Sequence, residues 1–380
     1  MRSKTNKAPT GGWYDPRPLL SMRTLNDEEP SIYIVDGNRT SGKTTGHYAL
    51  AYEEWVTQGK QFACCFRWSG DVSGADVVIF DYIRNIYPNV EAVAEPVGKN
   101  MLKISATKDL SKTPNSDVSR ETDEELDVYP CCYAISVNGS EKVRRNRAML
   151  SNVWTIIFDE FLPEDGRYCP NELTKYQSIY LTIAGANRPS PTELRKVHLI
   201  LISNHTNLSN PYYMSLGITK RYQDGTKWLR GDAWVWHRDD NVDAAKAISS
   251  DPVMAAFGTG YNDYSAGTTY LSDTTAGVEK LSGRMRYICT ITLDRGMKMK
   301  AGVYYHFDTG YLYISSKVDP GCRNIIAPPG EAYDDDVTSI KERSKTYLVL
   351  YDAELTGKIR YESLEEKSIL YLLFGKKLGE

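Results

Sequence analysis

The sequence lacks the hydrophobic segments of a membrane or secreted protein. None of its 380 residues lies in an apolar run approaching the roughly 18 residues that a transmembrane helix needs. The N-terminal residues MRSKTNKAPTGGWYDP have no apolar core of the kind found in signal peptides. We therefore expect a soluble, intracellular protein that has no membrane partner.

Cysteine and histidine are sparse and poorly placed for metal binding. The seven cysteines include no CxxC pair, and their odd number argues against a secreted disulfide framework. The adjacent pairs Cys64–Cys65 and Cys131–Cys132 lie in strand-like stretches, where neighbouring side chains point to opposite faces. Such pairs cannot share a metal ion, so we interpret them as packing residues. The five histidines are scattered singly.

Neither sign of charge is in large excess. The net charge is −3 and the isoelectric point is near 6.1, which excludes a uniformly basic surface that coats nucleic acid. Any contact with nucleic acid must then be local. Hydrophobic residues make up 41% of the chain and charged residues 25%, and these ordinary values exclude a disordered protein.

The chain is long enough for two domains, and its patterns divide it into three segments. Residues 1–227 show an α/β pattern, and residues 228–284 are rich in small polar residues and are predicted to form a linker or hinge. Residues 285–380 are predicted to form a smaller α/β domain. In it, YICTITLD, AGVYYHFDTGYLYISS and KTYLVLYD are strand-like, and ESLEEKSILYLLF is helical. Residues 101–128 are predicted to be irregular.

A strand, a tight loop and a helix follow one another near the N-terminus. The strand covers residues 31–37, an amphipathic helical pattern covers 44–58, and a second strand covers 61–66. This βαβ order indicates a mostly parallel sheet flanked by helices.

The loop in that unit has the GxxxxGK[ST] pattern of a phosphate-binding loop. In such loops backbone N–H groups face the phosphates, the lysine meets the β- and γ-oxygens, and the hydroxyl residue ligates Mg²⁺. We therefore expect ATP and Mg²⁺ to bind here, with Lys43 as a catalytic residue and Thr44 as a magnesium ligand. A glycine-containing turn with a chance lysine is the alternative. The predicted nucleotide-binding residues are Gly37, Asn38, Arg39, Thr40, Ser41, Gly42, Lys43, Thr44 and Thr45.

Two acidic residues end a buried strand further along the chain. Asp159 and Glu160 follow the apolar run Val153–Phe158. After a phosphate loop, this arrangement predicts that Asp159 holds Mg²⁺ and that Glu160 activates the attacking water. The second carboxylate favours a hydrolase over a nucleotide kinase, which transfers phosphate to a bound acceptor. Two solvated acids at a strand end are the alternative.

Two further polar features lie near these motifs. Asn204 ends the strand VHLILIS, where it is placed either to sense the γ-phosphate or to cap a loop. A turn before the acidic strand contains the densest group of cations and is predicted to contact DNA phosphates, although such runs are usually solvated. Its cations are Lys142, Arg144, Arg145 and Arg147.

Several short motifs follow one another in the order found in the DNA-packaging ATPases of small tailed phages. The sequence therefore resembles these proteins, which are encapsidation proteins of terminase large-subunit type. These motifs are WYDPRPLL, YIVDGNRTSGKTT, IIFDEF, ANRPSP and LISNHTNLSNPYY. The similarity is closest to the short, Picovirinae-like branch. GTGYNDYSAGTTYL and AGVYYHFDTGYLYIS extend the resemblance over most of the chain. An arginine inside the phosphate loop, here Arg39, is frequent in that group.

The resemblance implies an ASCE, RecA-like P-loop fold followed by a C-terminal domain that resembles a degenerate RNase H-like nuclease. It implies a homo-oligomeric ring, pentameric in this family, docked on the portal of a procapsid in the host cytoplasm. The ring would translocate double-stranded DNA by ATP hydrolysis. The resemblance leaves open whether a packaging RNA takes part.

Two expectations about single residues also come from the resemblance. The family's arginine that reaches the nucleotide of the neighbouring subunit maps to Arg188, with Arg195 as the reserve. The C-terminal acids do not form a clear metal-nuclease set, and the hairpin signature FDTG is ordinary turn chemistry, so we do not expect nuclease activity. These acids are Asp294, Asp308 and Asp334 to Asp336.

Two other functions share part of this pattern. A helicase or RecA-type NTPase has the same phosphate loop and acids, but it has arginine motifs in a second core, and the C-terminal third lacks them. A structural virion component would bind nucleotide without turning it over. ATP turnover that rises with duplex DNA distinguishes the packaging motor from both.

Overall fold

The chain forms two compact units. One unit consists of Met1–His205 with Gly225–Thr269, and the other consists of Thr206–Asp224 with Tyr270–Glu380. Among the described residues, no helix has the length and apolar character required to span a membrane. The computed structural model describes residues 13–114, 127–164, 167–208, 210–223, 225–257, 265, 277–294, 298–322, 324–327 and 345–374.

A nine-stranded sheet forms the centre of the first unit, in the spatial order β3-β4-β5-β2-β6-β7-β1-β9-β8. The six strands from β5 to β9 in this order are parallel, and the strands outside them are antiparallel to their neighbours. The predicted mostly parallel sheet is therefore confirmed. The strands are β1 (Ile32–Gly37), β2 (Gln61–Phe66), β3 (Ala92–Pro96), β4 (Met101–Ala106), β5 (Tyr129–Ser136), β6 (Val153–Asp159), β7 (His198–Asn204), β8 (Trp228–Arg230) and β9 (Trp234–Asp239).

Helices lie on both faces of this sheet, and two short 3-10 helices cover Ser69–Val72 and Arg144–Leu150. Helices α6, α7, α10 and α11 belong to the second unit and the others to the first. In chain order the helices are α1 (Arg17–Leu20), α2 (Lys43–Gln58), α3 (Ala75–Arg84), α4 (Ser140–Val143), α5 (Glu172–Gly185), α6 (Pro211–Ser215), α7 (Ile218–Arg221), α8 (Val242–Ser250), α9 (Pro252–Phe257), α10 (Lys345–Leu355) and α11 (Leu364–Leu373).

The strand β6 shows how the sheet separates two apolar layers. Its Ile157 joins the core that contains Tyr52 of α2 and Phe80 of α3. The next residue, Phe158, points to the other face, where its ring lies 5.3 Å from that of Tyr176 on α5. Because both faces are covered, the strand is apolar along most of its length, as its sequence indicates.

The second unit is built on a five-stranded sheet in the order β13-β10-β11-β12-β14. Helices α6, α10 and α11 contribute Met214, Leu350 and Leu370 to its core. The tight turn between β11 and β12 contains Gly310 at φ 72°, which agrees with the predicted hairpin at FDTG. The strands are β10 (Met285–Asp294), β11 (Lys298–His306), β12 (Leu312–Ser315), β13 (Ile325–Ile326) and β14 (Ile359–Tyr361).

The prediction that residues 228–284 form a linker is wrong for residues 228–239. Residues 228–239 form β8 and β9, and β9 pairs with β1 along the whole length of both strands. Trp234, Val235 and Trp236 are buried there. Their burial explains the error, because the small polar residues that suggested a linker begin only after β9. Conversely, Thr206–Asp224 belongs to the second unit and not to the first.

Two element predictions are also wrong. KTYLVLYD was expected to be a strand because of its apolar and aromatic residues, but it lies in α10. Its buried residues Leu350 and Ala353 are spaced as on one side of a helix. The segment 101–106, expected to be irregular, is β4, whose polar Lys103 and Ser105 alternate with buried residues.

Candidate nucleotide-binding site

The loop predicted to bind phosphate lies between β1 and α2, as the sequence indicates. Gly37 is the last residue of β1 and Lys43 is the first residue of α2. Thr40 and Gly42 adopt left-handed backbone conformations, with φ of 61° and 84°. A side chain at position 42 would also collide with Trp13, because its Cβ would lie 2.6 Å from the Trp13 ring. Glycine is therefore required at position 42 for two independent reasons.

Segments that sequence reasoning did not assign to the site hold this loop in place. The Tyr14 N–H donates to the Ser41 carbonyl at 3.2 Å. The Asn38 N–H donates to the Asp239 carbonyl at 3.3 Å, and its side-chain amide donates to the Asn241 carbonyl at 2.8 Å. The loop is thus braced by the N-terminal lead-in and by the end of β9, in the segment predicted to be a linker.

Lys43 is buried and turned into the loop. Its Nζ donates to the Asn38 carbonyl at 2.5 Å and lies 3.3 Å from the Ser41 hydroxyl. Burial lowers the pKa of Lys43 to about 8, and the carboxylates of Asp239 and Asp36 partly oppose this effect. The ammonium therefore lies where it has lost much of its water and where phosphate oxygens would supply strong acceptors.

Asp159 and Thr44 meet across the sheet edge. Burial raises the pKa of Asp159 to about 7, and the adjacent Glu160 carboxylate raises it further, whereas a hydrogen bond from the Thr44 side chain acts in the opposite direction. A carboxylate and a hydroxyl in contact are oxygen donors of the kind that Mg²⁺ prefers. The two side chains therefore form a donor set that fits a divalent cation.

Glu160 is fixed by residues that the sequence did not reveal. Its backbone is left-handed, with φ of 51°, and its carbonyl accepts from both terminal nitrogens of Arg67 at 3.3 Å. The Arg67 Nε donates to the Glu172 carboxylate at 2.8 Å, and both side chains are nearly buried. This ion pair therefore fastens the backbone of Glu160, whose side chain remains exposed. Arg67 directly follows β2, the strand beside β6, and this position was the signal available in the sequence.

Asn204 lies between the two motifs. It is the last residue of β7, the strand that separates β1 from β6. In register it lies opposite Gly37, while Asp159 lies opposite Ile202. Asn204 is therefore part of the same sheet edge as the phosphate loop and the acidic pair.

A buried contact between a histidine and an aspartate next to Asn204 was not predicted. The side chains of His205 and Asp36 are fully buried, and the His205 Nδ1 lies 3.0 Å from the Asp36 carboxylate. Asp36 directly precedes the phosphate loop. On the other side of the ring, Asp240 lies 3.8 Å from the His205 Nε2 and forms an ion pair with Arg238 at 2.8 Å. Contacts between titratable side chains therefore link the carboxyl ends of β1, β7 and β9.

Arg39 points to the loop after β6. Its Nε donates to the Glu164 carboxylate at 3.0 Å, and both side chains are about one-third exposed. This predicted nucleotide-binding arginine is thus paired with an acid that the sequence analysis did not single out.

The two candidate arginines for the neighbouring subunit differ in exposure. Arg188 is exposed, and its guanidinium donates to the Pro191 carbonyl of its own loop at 3.1 Å. Arg195 is buried, donates to the Ile183 carbonyl at 3.2 Å and stacks 4.9 Å from the Trp154 ring. Since Arg195 is committed to packing, only Arg188 is accessible to another molecule.

The predicted basic turn is helical and its cations have different roles. Residues 140–150 form α4 and a 3-10 helix packed along α5. The Arg144 side chain donates to the Ser178 hydroxyl at 3.0 Å, and Arg147 donates to the Gly185 carbonyl. Among the described residues, Lys142 and Arg145 form no ion pair or side-chain hydrogen bond. The four cations are therefore spread along α5 and do not form one cluster.

The C-terminal acids are not assembled into a site in the described part of the chain. Asp308 is exposed in the hairpin turn, 3.9 Å from the His306 ring. Asp294 ends β10, and Asp334 to Asp336 lie outside the described residues. No group of three or more possible metal ligands is found among the residues that the structure describes.

Comparisons with known proteins agree over most of the chain. Residues 130–378 match the family model described as Podovirus DNA encapsidation protein (Gp16). The DNA packaging protein of Bacillus phage phi29 is 26% identical over 378 residues, which is 96% of this chain and 97% of that relative. The DNA packaging protein of Bacillus phage B103 is 25% identical over 233 residues, or 59% of this chain and 68% of the relative.

Two solved assemblies show the same fold. A chain of the bacteriophage phi29 viral genome packaging motor assembly superposes with a TM-score of 0.64 at 18% identity, covering 96% of this chain and 99% of that one. A chain of the phi28 gp11 DNA packaging motor superposes with a TM-score of 0.53 at 14% identity, covering 95% and 97%. At these identities the likeness concerns the fold.

Proposed function

This chain belongs to the podovirus DNA encapsidation protein (Gp16) family, and from that premise we propose that it is an ATP-driven motor that moves double-stranded viral DNA into a procapsid. The family membership predicted from the sequence is confirmed. One structural observation above all supports the motor function: Thr44, beside the buried Lys43, contacts Asp159 across a single intervening strand. A phosphate loop facing a strand-end carboxylate is the arrangement that nucleotide hydrolysis requires.

The residues of the sheet edge have separate tasks in this proposal. Residues 37–45 receive the phosphates of ATP, and Lys43 binds the β- and γ-oxygens. Thr44 and Asp159 hold Mg²⁺, which neutralises charge on the phosphates when bound. Glu160 orients the attacking water and accepts its proton. Asn204, at the same edge, contacts the γ-phosphate.

We assign Arg188 the task of completing the neighbouring subunit's site. Helix α5 leads from the carboxyl end of β6 to the amino end of β7, so the loop with Arg188 lies at the sheet edge opposite the phosphate loop. Arg188 cannot serve the nucleotide of its own subunit from there. A guanidinium is permanently charged and can bond two phosphate oxygens at once, which suits a group that acts only when subunits are correctly placed.

The proposed assembly is a homo-oligomeric ring, with five subunits in the family, docked on the portal of a procapsid in the host cytoplasm. DNA passes through the ring, and a packaging RNA is a partner to be tested. The second unit binds DNA or the portal without cutting.

An ATPase assay with and without duplex DNA and emptied procapsids tests the proposal. We expect steady turnover that rises when duplex DNA and procapsids are added. Turnover stimulated only by single-stranded DNA would favour a helicase, and bound but unhydrolysed ATP under all conditions would favour a structural nucleotide-binding component.

A further inference from the structure

The turn of an outer hairpin in the first unit is fixed by Asn100, in addition to the pairing of β4 with β5. Asn100 is buried at the end of the turn between β3 and β4. Its side-chain oxygen accepts from the Ser69 hydroxyl at 2.6 Å, and its carbonyl accepts from the Ser136 N–H at 2.9 Å. These contacts fix the turn, together with the exposed Lys99 beside it, at the carboxyl end of β5.

The segment after β5 is shaped to receive this turn. A Cβ at Gly139 would lie 2.3 Å from the Asn100 side chain, so only glycine fits. The Gly139 carbonyl accepts from the Lys142 N–H at 2.9 Å in the first turn of α4. From the side of α5, the Lys175 ammonium donates to the Asn138 side chain at 2.7 Å. Lys99 next to Asn100, Lys142 through its backbone N–H and Lys175 through its ammonium are therefore all tied to the segment Asn138–Gly139, and we call these three lysines the tri-lysine surface.

The charges of the tri-lysine surface are not neutralised by ion pairs within the described residues. Lys103, in the same hairpin, shows the contrast, because its ammonium pairs with Glu95 at 3.1 Å. The exposed Glu141 beside Lys142 is the nearest acid along the chain. Three lysines that have no ion-pair partner among the described residues, all tied to one fixed segment, are placed to meet an anion from outside.

We propose that the tri-lysine surface binds the phosphate backbone of duplex DNA. Lysine ammonium groups act as point charges that contact phosphates without reading bases, as a motor that moves any sequence requires. The surface lies at the carboxyl end of β5, on the same sheet edge as the phosphate loop, because β5, β2 and β6 are parallel. This proposal rests on the proposed DNA-packaging function. Of the four cations predicted to contact DNA, which are Lys142, Arg144, Arg145 and Arg147, the surface includes Lys142, and it adds Lys99 and Lys175.

Salt dependence of DNA binding by the full-length chain tests the surface. The variants are Lys99→Ala, Lys142→Ala and Lys175→Ala, with Lys103→Ala as the matched control from the same hairpin. Binding of a fluorescent duplex DNA is measured over a range of salt concentrations. Each lost phosphate contact lowers the slope of log K against log[salt] by about 0.9, so a Lys99→Ala/Lys142→Ala double variant loses about 1.8. Lys103→Ala keeps the slope of the original chain.

A variant of Gly139 tests whether DNA binding depends on the position of the lysines as well as on their charge. Gly139→Ala keeps every cation but pushes Asn100 and its turn away, so we expect weaker DNA binding. Urea unfolding of Lys99→Ala and Lys142→Ala should show unchanged midpoints, so that their loss of binding reflects the loss of charge. Original slopes in all three lysine variants would overturn this proposal while leaving the motor function intact. Equal losses in Lys103→Ala, or a stronger effect on duplex RNA than on duplex DNA, would also overturn it. If the original chain binds no duplex DNA at all, the proposed function fails with it.

Discussion

Substitutions of Lys43 and Glu160 should affect ATP binding differently, although both should stop ATP hydrolysis. Lys43→Ala removes the cation that meets the phosphates, so ATP hydrolysis is expected to be lost together with much of the ATP affinity. Glu160→Gln keeps the backbone fixed by Arg67 but cannot accept a proton, so ATP should bind at nearly unchanged affinity without turnover. Nucleotide binding measured by calorimetry, alongside phosphate release, checks both outcomes. Normal turnover in Glu160→Gln would place the catalytic base elsewhere.

His47 makes the stability of the first unit depend on pH. It is buried in α2, and burial lowers its pKa to about 4 in the folded chain, against about 6.5 when unfolded. Between these values the unfolded chain binds more protons, so the contribution is fully present above pH 6.5 and is lost as the pH falls towards 4. The difference corresponds to about 3 kcal/mol.

The measurement is the free energy of unfolding in urea at several pH values for the original chain and for His47→Gln. The substitution should flatten the rise of stability between about pH 4 and 6.5. Equal slopes in the two proteins would show that His47 is not the source of the pH dependence.

At the scale of elements, the ion pair between Arg67 and Glu172 fastens the segment after β6 to the end of β2. Removing one partner leaves a buried charge, so Arg67→Met or Glu172→Leu should each lower the free energy of unfolding by about 3–5 kcal/mol. The double variant Arg67→Met/Glu172→Leu should recover much of that stability. Hydrolysis should not recover, because the Glu160 carbonyl has lost its donor.

The exposed pair formed by Arg84 and Asp81 provides the control. Its atoms are 3.1 Å apart, but Asp81 is 66% exposed, so Asp81→Asn should cost less than about 1 kcal/mol. Urea unfolding compares the two pairs. An Arg67→Met variant as stable as Asp81→Asn would contradict the assigned role of the buried pair.

Features that depend on residues close together in the sequence could be predicted. Features that depend on contacts between residues far apart in the sequence could not. The loop from Gly37 to Thr44 is set by a strand, a glycine pattern and a helix within a few residues, and the structure places it as expected. Arg67 and Glu172 are 105 positions apart, and no local pattern relates them. The helix α10 was misread because an apolar run of Leu, Val and Tyr fits either a strand or a helix until its packing partner is known.

At the scale of the whole molecule, the exposed Arg188 predicts complementation between subunits. In a 1:1 mixed ring, Lys43→Ala subunits supply Arg188 and Arg188→Ala subunits supply Lys43. About one interface in four then has both groups intact, so turnover should reappear at roughly a quarter of the original rate. Phosphate release from rings shown to contain both variants gives the measurement.

A matched mixture tests whether the recovery comes from Arg188. Lys43→Ala mixed with the double variant Lys43→Ala/Arg188→Ala contains no intact lysine and should stay inactive. Should the first mixture form mixed rings and remain as inactive as the second, Arg188 would be a surface residue that only bonds its own loop.

The central position of β1 has a consequence for how the protein is made. Its apolar residues leave the ribosome early, but both neighbouring strands come much later, β7 at residues 198–204 and β9 at residues 234–239. At about 5–20 residues per second, β1 waits on the order of ten seconds or more for its first partner. The nucleotide site is therefore among the last parts of the first unit to form. During that interval the nascent chain presents an unpaired apolar strand, a state in which chaperones would protect it from aggregation.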